Sequence, residues 1–410
     1  MSSNAEKLYK LIANDSKKKQ SLFMTALTNP KKALDKICEI GNEFNAKIRM
    51  RGDLSGHWEN AKKSWRIKFS NDNLFNGYKQ LNFVVPDDKA YEVEKIAYDF
   101  ARTQDLIAPD SGFVKIALNG VDMGLYFWFE QNSKEMLEKL RYPEGEIFRE
   151  KNTWVQTRFT GFGLHNLTPG VSLFPGNYAS TIQQEGSKKR NNAEKWNYFL
   201  TLIREGAQEK FTKEIPHLLN IEKYLKWNAL TWLFGSTHAH WGDNLRWYYN
   251  NTTGLFEPII YDVYRYPIDN LRKGTFEAKE YDPLAKRLLK EDMFRQKRNA
   301  ILWDYVNNKK FYMDNLSERE YQKIEGALLT GVDAKPLSEV KRFHEETIAI
   351  LKNNRKSIKA HLEFARVFVT PSVNTRGQAL DISFKILPDS MSRIGLEEIE
   401  IVFTEPIDLS

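Results

Sequence analysis

Apolar and polar residues alternate along the first third of the chain in a way that predicts a β-sheet. Alternating runs occur at AKIRMRG (46–52), KSWRIKF (63–69) and QLNFVVP (80–86). Two longer runs, GFVKIALNG and MGLYFWFEQ, flank the turn Asn119-Gly120. Val, Ile, Phe, Trp and Tyr at every second position are typical of strands, and Asn-Gly between two such runs is typical of a hairpin. The pattern therefore predicts an antiparallel sheet in this region.

A period of three to four residues replaces the alternation elsewhere. In KAYEVEKIAYDFARTQ (89–104), Val93, Ile96, Ala97 and Phe100 fall on one face of an amphipathic helix. Further helices are predicted at 134–140, 193–210, 213–219, 221–236, 282–291, 293–306, 316–327 and 335–363. The order is a sheet-rich part with one helix, followed by a helix-rich part, which indicates the α+β class.

These patterns divide the chain into four parts. Residues 1–44 are predicted to be an N-terminal helical segment, and 45–132 the sheet-rich part. Residues 133–365 form the helix-rich part, within which 150–192 are predicted to be irregular because Gly, Thr, Asn and Pro are frequent. Apolar and polar residues alternate again in 366–410, which predicts a C-terminal β extension or the start of a β domain.

Composition and charge narrow the class of protein. The 410 residues are 41% hydrophobic and 13% aromatic, which is typical of a folded chain. No run of about 18 apolar residues occurs, so we expect no transmembrane segment, and the first residues show no signal-peptide core. The net charge of +7 fits an anionic ligand such as a nucleotide or a phosphorylated glycan. The basic residues are too dispersed to predict nucleic-acid binding.

The strongest functional signal is HAHWGDNLRWYYNNTTGLFEPIIYD (238–262). LRWYY and LFEPIIY predict two strands, and NNTTG supplies the turn between them. Asn244 precedes the first strand and Asp262 follows the second, so an antiparallel hairpin places them side by side. Oxygen ligands without Cys suit a hard cation such as Mg²⁺ that holds phosphates. Protein kinases hold ATP with an Asn and an Asp that flank such a hairpin.

Several segments in the same order resemble the CotH family of atypical kinases, which are related to bacterial spore-coat proteins. They are KIRMRG, KKSWRIKF, IAYDFAR, FVKIALNGVDMGLYFWFEQ, GEIFR and DNLRWYYNNTTGLFEPIIYD. The resemblance runs from about Lys47 to about Asp262. It implies a two-lobed atypical protein-kinase-like fold, with 45–132 as the N-lobe and 133–365 as the C-lobe. It also implies that ATP and Mg²⁺ or Mn²⁺ are used to phosphorylate a protein, often on Ser.

The resemblance implies roles for the residues around the hairpin. Asp262 is expected to be a metal ligand and Asn244 the second one. The general base departs from the family pattern, because many members carry an Asp about six residues before that Asn, where this chain has His238. A histidine can accept a hydroxyl proton at neutral pH. Asp243, His238 and His240 are the alternatives for the base, and the absence of any base is the fourth.

The family pattern also implies basic residues that contact the phosphates from the strand KKSWRIKF. Lys63 and Lys68 are the candidates, on opposite faces of the strand, and Arg66 shares the face of Lys68. A glutamate at the start of the following helix is expected to pair with the strand lysine. Glu94 and Glu92 both qualify, and their spacing does not choose between them.

The adenine is expected near 129–132, where Glu130 is a candidate contact. The expected function is transfer of the γ-phosphoryl group of ATP to a protein Ser/Thr hydroxyl or to a glycan. A catalytically degenerate kinase-like protein that assembles a spore coat or cell surface is an alternative, and a carbohydrate-binding or adhesion module is another. The compartment stays open: family members are often exported or spore-associated, which slightly favours a bacterial surface or spore.

Overall fold

A computed structural model describes residues 46–51, 61–70, 74–150, 193–240, 244–268, 282–332 and 334–363, together with strands at 23–26, 182–185, 365–376 and 379–390. Within these ranges, no helix combines the length and the apolar character that crossing a membrane requires. The architecture is mixed α+β, as the sequence predicts.

The main sheet has six strands in the spatial order β1-β5-β6-β4-β3-β2, and all neighbours are antiparallel. The strands are β1 (Phe23–Ala26), β2 (Ala46–Met50), β3 (Trp65–Phe69), β4 (Gln80–Val84), β5 (Ser111–Leu118) and β6 (Val121–Glu130). The predicted strands between residues 46 and 131 are therefore confirmed in type, with ends that differ by a few residues.

A second sheet of four strands has the order β10-β9-β7-β8. Its strands are β7 (Gly145–Glu150), β8 (Ile182–Glu185), β9 (Arg246–Asn250) and β10 (Leu255–Ile259). β9 and β10 are the predicted hairpin, and β7 pairs with the other side of β9. Two long strands, β11 (Ala365–Arg376) and β12 (Ala379–Ser390), form a separate two-stranded sheet.

The helices lie mostly in the second half of the chain. They are α1 (Val93–Thr103), α2 (Lys134–Lys139), α3 (Ala193–Glu205), α4 (Gln208–Glu214), α5 (Ile221–Phe234), α6 (Pro283–Leu288), α7 (Asp292–Asn307), α8 (Met313–Leu328) and α9 (Leu337–Glu363). Short 3-10 turns at Pro86–Lys89 and Thr237–His240 precede α1 and the hairpin, respectively.

α1 is the element that joins the sheet to the helices. Its apolar face is buried in the largest core, and Phe100 meets Tyr305 and Phe311 from the helix-rich part at 5.0 and 5.3 Å between ring centroids. On the sheet side, Tyr98 packs on Phe127 and Phe129 of β6. A helix with apolar contacts on both sides is fixed in position, so the residues in its first turn are fixed as well.

The opposite face of the main sheet carries its own apolar cluster. Its members alternate in sequence with those facing α1, as the period of two requires. They are Trp65, Ile67, Phe69, Leu81, Phe83, Val114, Ile116, Leu118, Met123 and Tyr126. Because Trp65 and Ile67 are buried in this cluster, Arg66 and Lys68 lie on the opposite face of β3, which faces the helix-rich part.

Two glycines allow the main sheet to touch the end of α8 directly. A Cβ at Gly331 would lie 2.3 Å from the backbone nitrogen of Gly124, and one at Gly124 would lie 2.4 Å from the carbonyl oxygen of Thr330. Both residues have positive φ, +74° and +90°. Only glycine fits such a contact. The backbone of the main sheet therefore touches the backbone just after α8, and no side chain sets the distance between them.

Three predictions about secondary structure were wrong. Phe23–Ala26 is a strand paired with β5 rather than part of a helical segment, and the rest of 1–44 lies outside the described residues. The region 150–192, predicted to be irregular, contains β8. The predicted helix 213–219 is replaced by α4 and the 3-10 turn Ile215–His217. Such short segments become strands or helices through their partners, and local period alone does not decide them.

Candidate functional site

Asp262 lies just beyond β10, on the side of the hairpin that faces the main sheet. The chain after β10 is held by the backbone N–H of Ile260, which donates to the carbonyl of Ile107 at 2.9 Å. The backbone of Asp262 has a φ of +54°, in the left-handed region that residues other than glycine enter rarely. Strained backbone of this kind is found preferentially at functional sites.

The ammonium group of Lys89 is in direct contact with Asp262. Lys89 Nζ binds Asp262 Oδ1, and it lies 3.6 Å from Glu94 Oε2 and 3.8 Å from Asp88 Oδ2. Lys89 is buried and ends the 3-10 turn before α1. Ala90 and Tyr91, which follow it, both have positive φ, +50° and +57°. This strained corner directs the lysine toward the hairpin.

Glu94, in the first turn of α1, supports the same aspartate from the other side. The backbone N–H of Asp262 donates to Glu94 Oε1 at 2.9 Å, and the hydroxyl of Tyr98 donates to that oxygen as well. Glu94 is fully buried. Of the two candidate glutamates, Glu94 lies beside a lysine, but that lysine is Lys89 from the turn before α1 and not a lysine of β3 as predicted.

Arg51, at the end of β2, completes a buried group of charges. Its Nη2 donates to the hydroxyl of Tyr261 at 2.8 Å, and its guanidinium lies 4.9 Å from the ring centroid of Phe129. Among the described residues, its Nε has no hydrogen-bond partner. A partly buried guanidinium with an unused donor near Asp262 is suited to an anionic ligand.

The charges in this group hold Asp262 ionised. Burial alone would raise the pKa of Asp262, but Lys89, His238 and Arg51 together hold it well below its usual range. Burial raises the pKa of Glu94, with Lys89 opposing the shift and Asp262 adding to it. Burial opposes the charge on Lys89, yet Asp262 and Glu94 raise its pKa above the usual value. The cluster therefore contains a permanently charged carboxylate and a permanently charged ammonium.

The strands next to Arg51 carry further positive charge on the same face. In the register of β2 and β3, Lys47 is opposite Lys68 and Arg49 is opposite Arg66. Like charges directly opposite each other on paired strands destabilise a sheet. Arg66 relieves part of the repulsion by donating to Asn82 Oδ1 at 2.7 Å. An anion bound under this face would relieve the rest.

His238 contacts both Asp262 and Asn244 at the open end of the hairpin. His238 Nδ1 lies 3.3 Å from Asp262 Oδ2. The Asn244 side-chain nitrogen donates to the His238 carbonyl at 3.2 Å and lies 3.3 Å from the ring Nε2. The two predicted metal ligands, Asn244 and Asp262, are therefore brought together around His238, the residue at the predicted position of the base.

The chain is similar to known proteins over most of its length. A family model described as CotH kinase protein matches residues 48–369, which is more than half of the 410 residues. The chain belongs to the CotH kinase family. A second model, a domain of unknown function (DUF8665), matches residues 5–68. The predicted resemblance is confirmed, and the protein is kinase-like.

A curated relative in this family is the inner spore coat protein H of Bacillus subtilis (strain 168). It is 23% identical over 316 residues, which cover 73% of this chain and 83% of the relative. Among solved structures, a chain of the Shewanella oneidensis MR-1 toxin–antitoxin complex of HipA, HipB and operator DNA matches with 13% identity and a TM-score of 0.33. That alignment covers 83% of this chain and 74% of the other, and a score this low does not establish a shared fold.

The other two candidates for the base are His240 and Asp243. His240 is buried, with its Nε2 2.7 Å from Thr231 Oγ1 and its ring 4.7 Å from that of Trp227, so the structure places it in the core beside α5. Asp243 lies outside the described residues. The histidine in contact with Asp262 is His238.

The candidates for phosphate and adenine contacts are spread over the sheet. Lys63 is buried just before β3, and Lys68 is exposed on β3. Glu130, at the end of β6, is buried in an ion pair with Lys139 at 2.6 Å, and burial raises its pKa to about 7. The neighbouring Asn132 is buried, and its amide has no hydrogen-bond partner among the described residues. Oε1 of Glu130 also has no partner in that part of the structure, so both residues offer an unused polar atom at the predicted adenine position.

Sequence reasoning gave no role to Lys89 or Arg51. Lys89 is the first residue of the predicted helix 89–104, but in the structure it ends the 3-10 turn Pro86–Lys89, and only the fold turns it toward the hairpin. Arg51 was visible as the last basic residue of an alternating run. Its backbone N–H donates to the carbonyl of Ser64, a long-range pairing that the sequence does not show.

The residues present fit a divalent cation. In the described ranges, no group of three or more His, Cys, Asp and Glu side chains is placed to hold a metal, so the donors here are one carboxylate, one amide and one imidazole. Asp262 is ionised and already binds a cationic group through Lys89. A carboxylate with an amide beside it is a donor set that Mg²⁺ and Mn²⁺ accept when phosphate and water supply the remaining ligands.

Proposed function

We propose that the protein is an ATP- and divalent-metal-dependent phosphotransferase that passes the γ-phosphoryl group to a hydroxyl of a protein or a glycan. The observation that carries the proposal is Asp262, which is linked to Asn244 through His238 and surrounded by Lys89, Arg51 and Glu94. Membership of the CotH kinase family supports the same activity.

The two-lobed kinase-like arrangement is part of the proposal. The main sheet with α1 corresponds to the N-lobe and the helix-rich part to the C-lobe, with the nucleotide between them. Arg51 lies at the boundary: it directly follows β2, and it binds Tyr261, which follows β10. A ligand that contacts Arg51 and Asp262 together would therefore contact both parts.

The residues of this chain would share the work of charge neutralisation. Asp262 and Asn244 would hold the cation, which neutralises phosphate oxygens as charge develops on them. Arg51 and Lys89 are placed to contact the same oxygens, and Glu94 fixes Asp262 through its backbone N–H. Phosphoryl transfer depends mainly on positioning and electrostatics, so a weak or absent base slows it without changing this assignment.

We assign the base of the nucleotide to the neighbourhood of Asn132. Its buried amide offers a donor and an acceptor that have no partner among the described residues. A protein acceptor fits the relative's name, because a coat protein functions among other proteins of its assembly.

The test is calorimetric titration of the full chain with ATP and Mg²⁺ or Mn²⁺, followed by transfer of labelled phosphate to the chain itself or to a generic protein acceptor. Asp262→Ala is expected to abolish metal-dependent binding. Asp304→Ala, at an exposed position on α7, is the control and is expected to bind as the wild type does. Absence of metal-dependent nucleotide binding in the wild type would contradict the proposal.

A degenerate kinase-like assembly protein is the second candidate, and one observation favours it. His238 stands where the family pattern carries an Asp, and its imidazole is engaged with Asp262. This candidate predicts nucleotide binding that depends on Asp262 with no transfer of phosphate to any acceptor. The two measurements above therefore distinguish the candidates.

A further inference from the structure

His238 lies between the two predicted metal ligands at distances longer than those of strong hydrogen bonds. Its Nδ1 is 3.3 Å from Asp262 Oδ2, and its ring nitrogens are 3.3 and 3.4 Å from the Asn244 amide nitrogen. A charge-assisted hydrogen bond from nitrogen to a carboxylate is about 2.7–2.9 Å long. His238 therefore contacts both predicted ligands, Asp262 through Nδ1 and Asn244 through the amide nitrogen.

The 3.3 Å between His238 Nδ1 and Asp262 Oδ2 is a spacing that two ligands of a common cation adopt. Donors at about 2.0–2.2 Å from a metal are separated from one another by about 2.8–3.4 Å in octahedral and tetrahedral sites. The Asn244 amide nitrogen is used by the His238 carbonyl, at 3.2 Å, which leaves the amide oxygen as the donor atom. The imidazole nitrogen, the carboxylate oxygen and the amide oxygen form a mixed set of one nitrogen and two oxygens.

The two oxygens of Asp262 are used by different partners. Lys89 binds Oδ1, whereas His238 approaches Oδ2. A cation at Oδ2 would therefore not need to displace the ammonium. The side chain of His238 is 33% exposed and that of Asp262 is 14% exposed, so solvent reaches this pair.

We propose that His238 is a nitrogen ligand of the cation at Asn244 and Asp262, and that it makes the site selective for a first-row transition cation such as Mn²⁺ over Mg²⁺. The inference rests on the proposed function, since the same cation would hold the nucleotide phosphates. Imidazole is a good ligand for transition metals, whereas Mg²⁺ takes oxygen ligands almost exclusively. The aspartate of the family pattern would offer oxygen alone at this position.

The test is pulsed electron paramagnetic resonance of Mn²⁺ bound to the full chain with ADP. A coordinated imidazole nitrogen gives a nitrogen modulation that is expected in the wild type and is lost in His238→Gln. His217→Gln, at an exposed histidine in a 3-10 turn, is the matched control and is expected to keep the signal. Wild type grown with ¹⁵N-histidine should change the modulation from ¹⁴N to ¹⁵N, which makes the test independent of how any variant folds.

Calorimetry gives a second readout without turnover. His238→Gln is expected to weaken Mn²⁺ binding by about 10–100-fold, the range found when a metal-site partner is removed, and to change Mg²⁺ binding much less. Mn²⁺ bound by the wild type without a histidine nitrogen signal would overturn this inference and leave the proposed function standing. Failure of the wild type to bind Mn²⁺ and ADP at all would overturn both.

Discussion

Two glutamates at the start of α1, Glu92 and Glu94, are both buried but belong to different clusters. Glu94 holds the backbone of Asp262 and lies 3.6 Å from Lys89. Glu92 accepts hydrogen bonds from the Ser317 hydroxyl and, at 3.2 Å, from His344 Nδ1. The first cluster faces the candidate site, and the second ties α1 to α8 and α9.

The difference lies in the partner that compensates each buried charge. Glu94 faces a lysine and a backbone N–H, which stay charged or polar at every physiological pH. Glu92 faces a histidine that also reaches Glu318, 2.9 Å from its Nε2, and stacks on Tyr321 at 3.7 Å. One cluster is thus a permanent ion pair suited to ligand chemistry, whereas the other depends on the protonation of His344 and supports the fold.

The largest effect is expected from Lys89→Met, because it leaves Asp262 and Glu94 buried without their ammonium. Removing one partner of a buried ion pair destabilises a protein by about 3–5 kcal/mol. Urea unfolding measures this loss. Lys323→Met, at an exposed lysine paired with Glu320, is the control, and its effect is expected to stay within about 0.5 kcal/mol. Equal effects of the two changes would contradict the assigned role of Lys89.

Glu94→Gln and Glu92→Gln separate the two clusters by function. Glu94→Gln weakens the support of Asp262 and is expected to reduce metal–nucleotide affinity by about 10–100-fold, as outer-shell changes do. Glu92→Gln is expected to leave that affinity within about threefold of the wild type, a difference of less than 1 kcal/mol. Calorimetry on both variants decides, and a reversed order would show that the clusters have been assigned the wrong way round.

A smaller effect is expected from the hydroxyls that serve each glutamate. Tyr98→Phe removes the donor to Glu94, and Ser317→Ala removes the donor to Glu92. Each is expected to cost about 1–3 kcal/mol of unfolding free energy, since the acceptor is a buried carboxylate. Only Tyr98→Phe should also weaken nucleotide binding, and thermal unfolding with and without ligand measures both properties.

The smallest effect is a dependence of stability on pH in the Glu92 cluster. Burial opposes the charge on His344, but hydrogen bonds to Glu92 and Glu318 raise its pKa above the ordinary value near 6.5. A raised pKa adds stability that is complete below about pH 6.5 and is lost as the pH rises through the folded pKa. Melting temperatures from pH 6 upward should therefore fall more steeply in the wild type than in His344→Gln.

His361, on the same helix, provides a contrast for that experiment. Burial lowers its pKa to about 4, so its contribution is lost as the pH falls below about 6.5 toward 4. The two histidines therefore change the stability in opposite parts of the pH profile, His344 as the pH rises and His361 as the pH falls. If His344→Gln changed only the acidic limb, the sign assigned to His344 would be wrong.

The strands, α1 and the β9–β10 hairpin could be predicted because burial on one or two faces leaves a period in the sequence. The positions of Asn244 and Asp262 followed from the hairpin alone. Glu92 and Glu94 are about 200° apart around a helix. The sequence therefore predicts that they point in different directions, but it does not predict which of them faces the hairpin. The helical period of 89–104 did not predict the direction of Lys89, because that direction is set by backbone at positive φ in the turn before α1.

β7 and β8 were not predicted for a related reason. GEIFRE becomes a strand by pairing with both β9 and β8, and its local sequence is neutral. The four residues Phe23–Ala26 are too few for a helical period to be told from a strand, and their pairing with β5 decides. Long-range pairing of this kind is the part of the fold that single segments do not encode.

The left-handed backbone of Asp262 places two independent demands on one position. A φ of +54° is tolerated by Asp, Asn and Gly, so a related chain that had lost the chemistry would still be restricted to a small set of residues there. Retention of Asn or Gly would then report only on the turn, whereas Asp reports on the turn and the charge together. The identity of this single residue is therefore a more informative marker of activity among relatives than the survival of the hairpin around it.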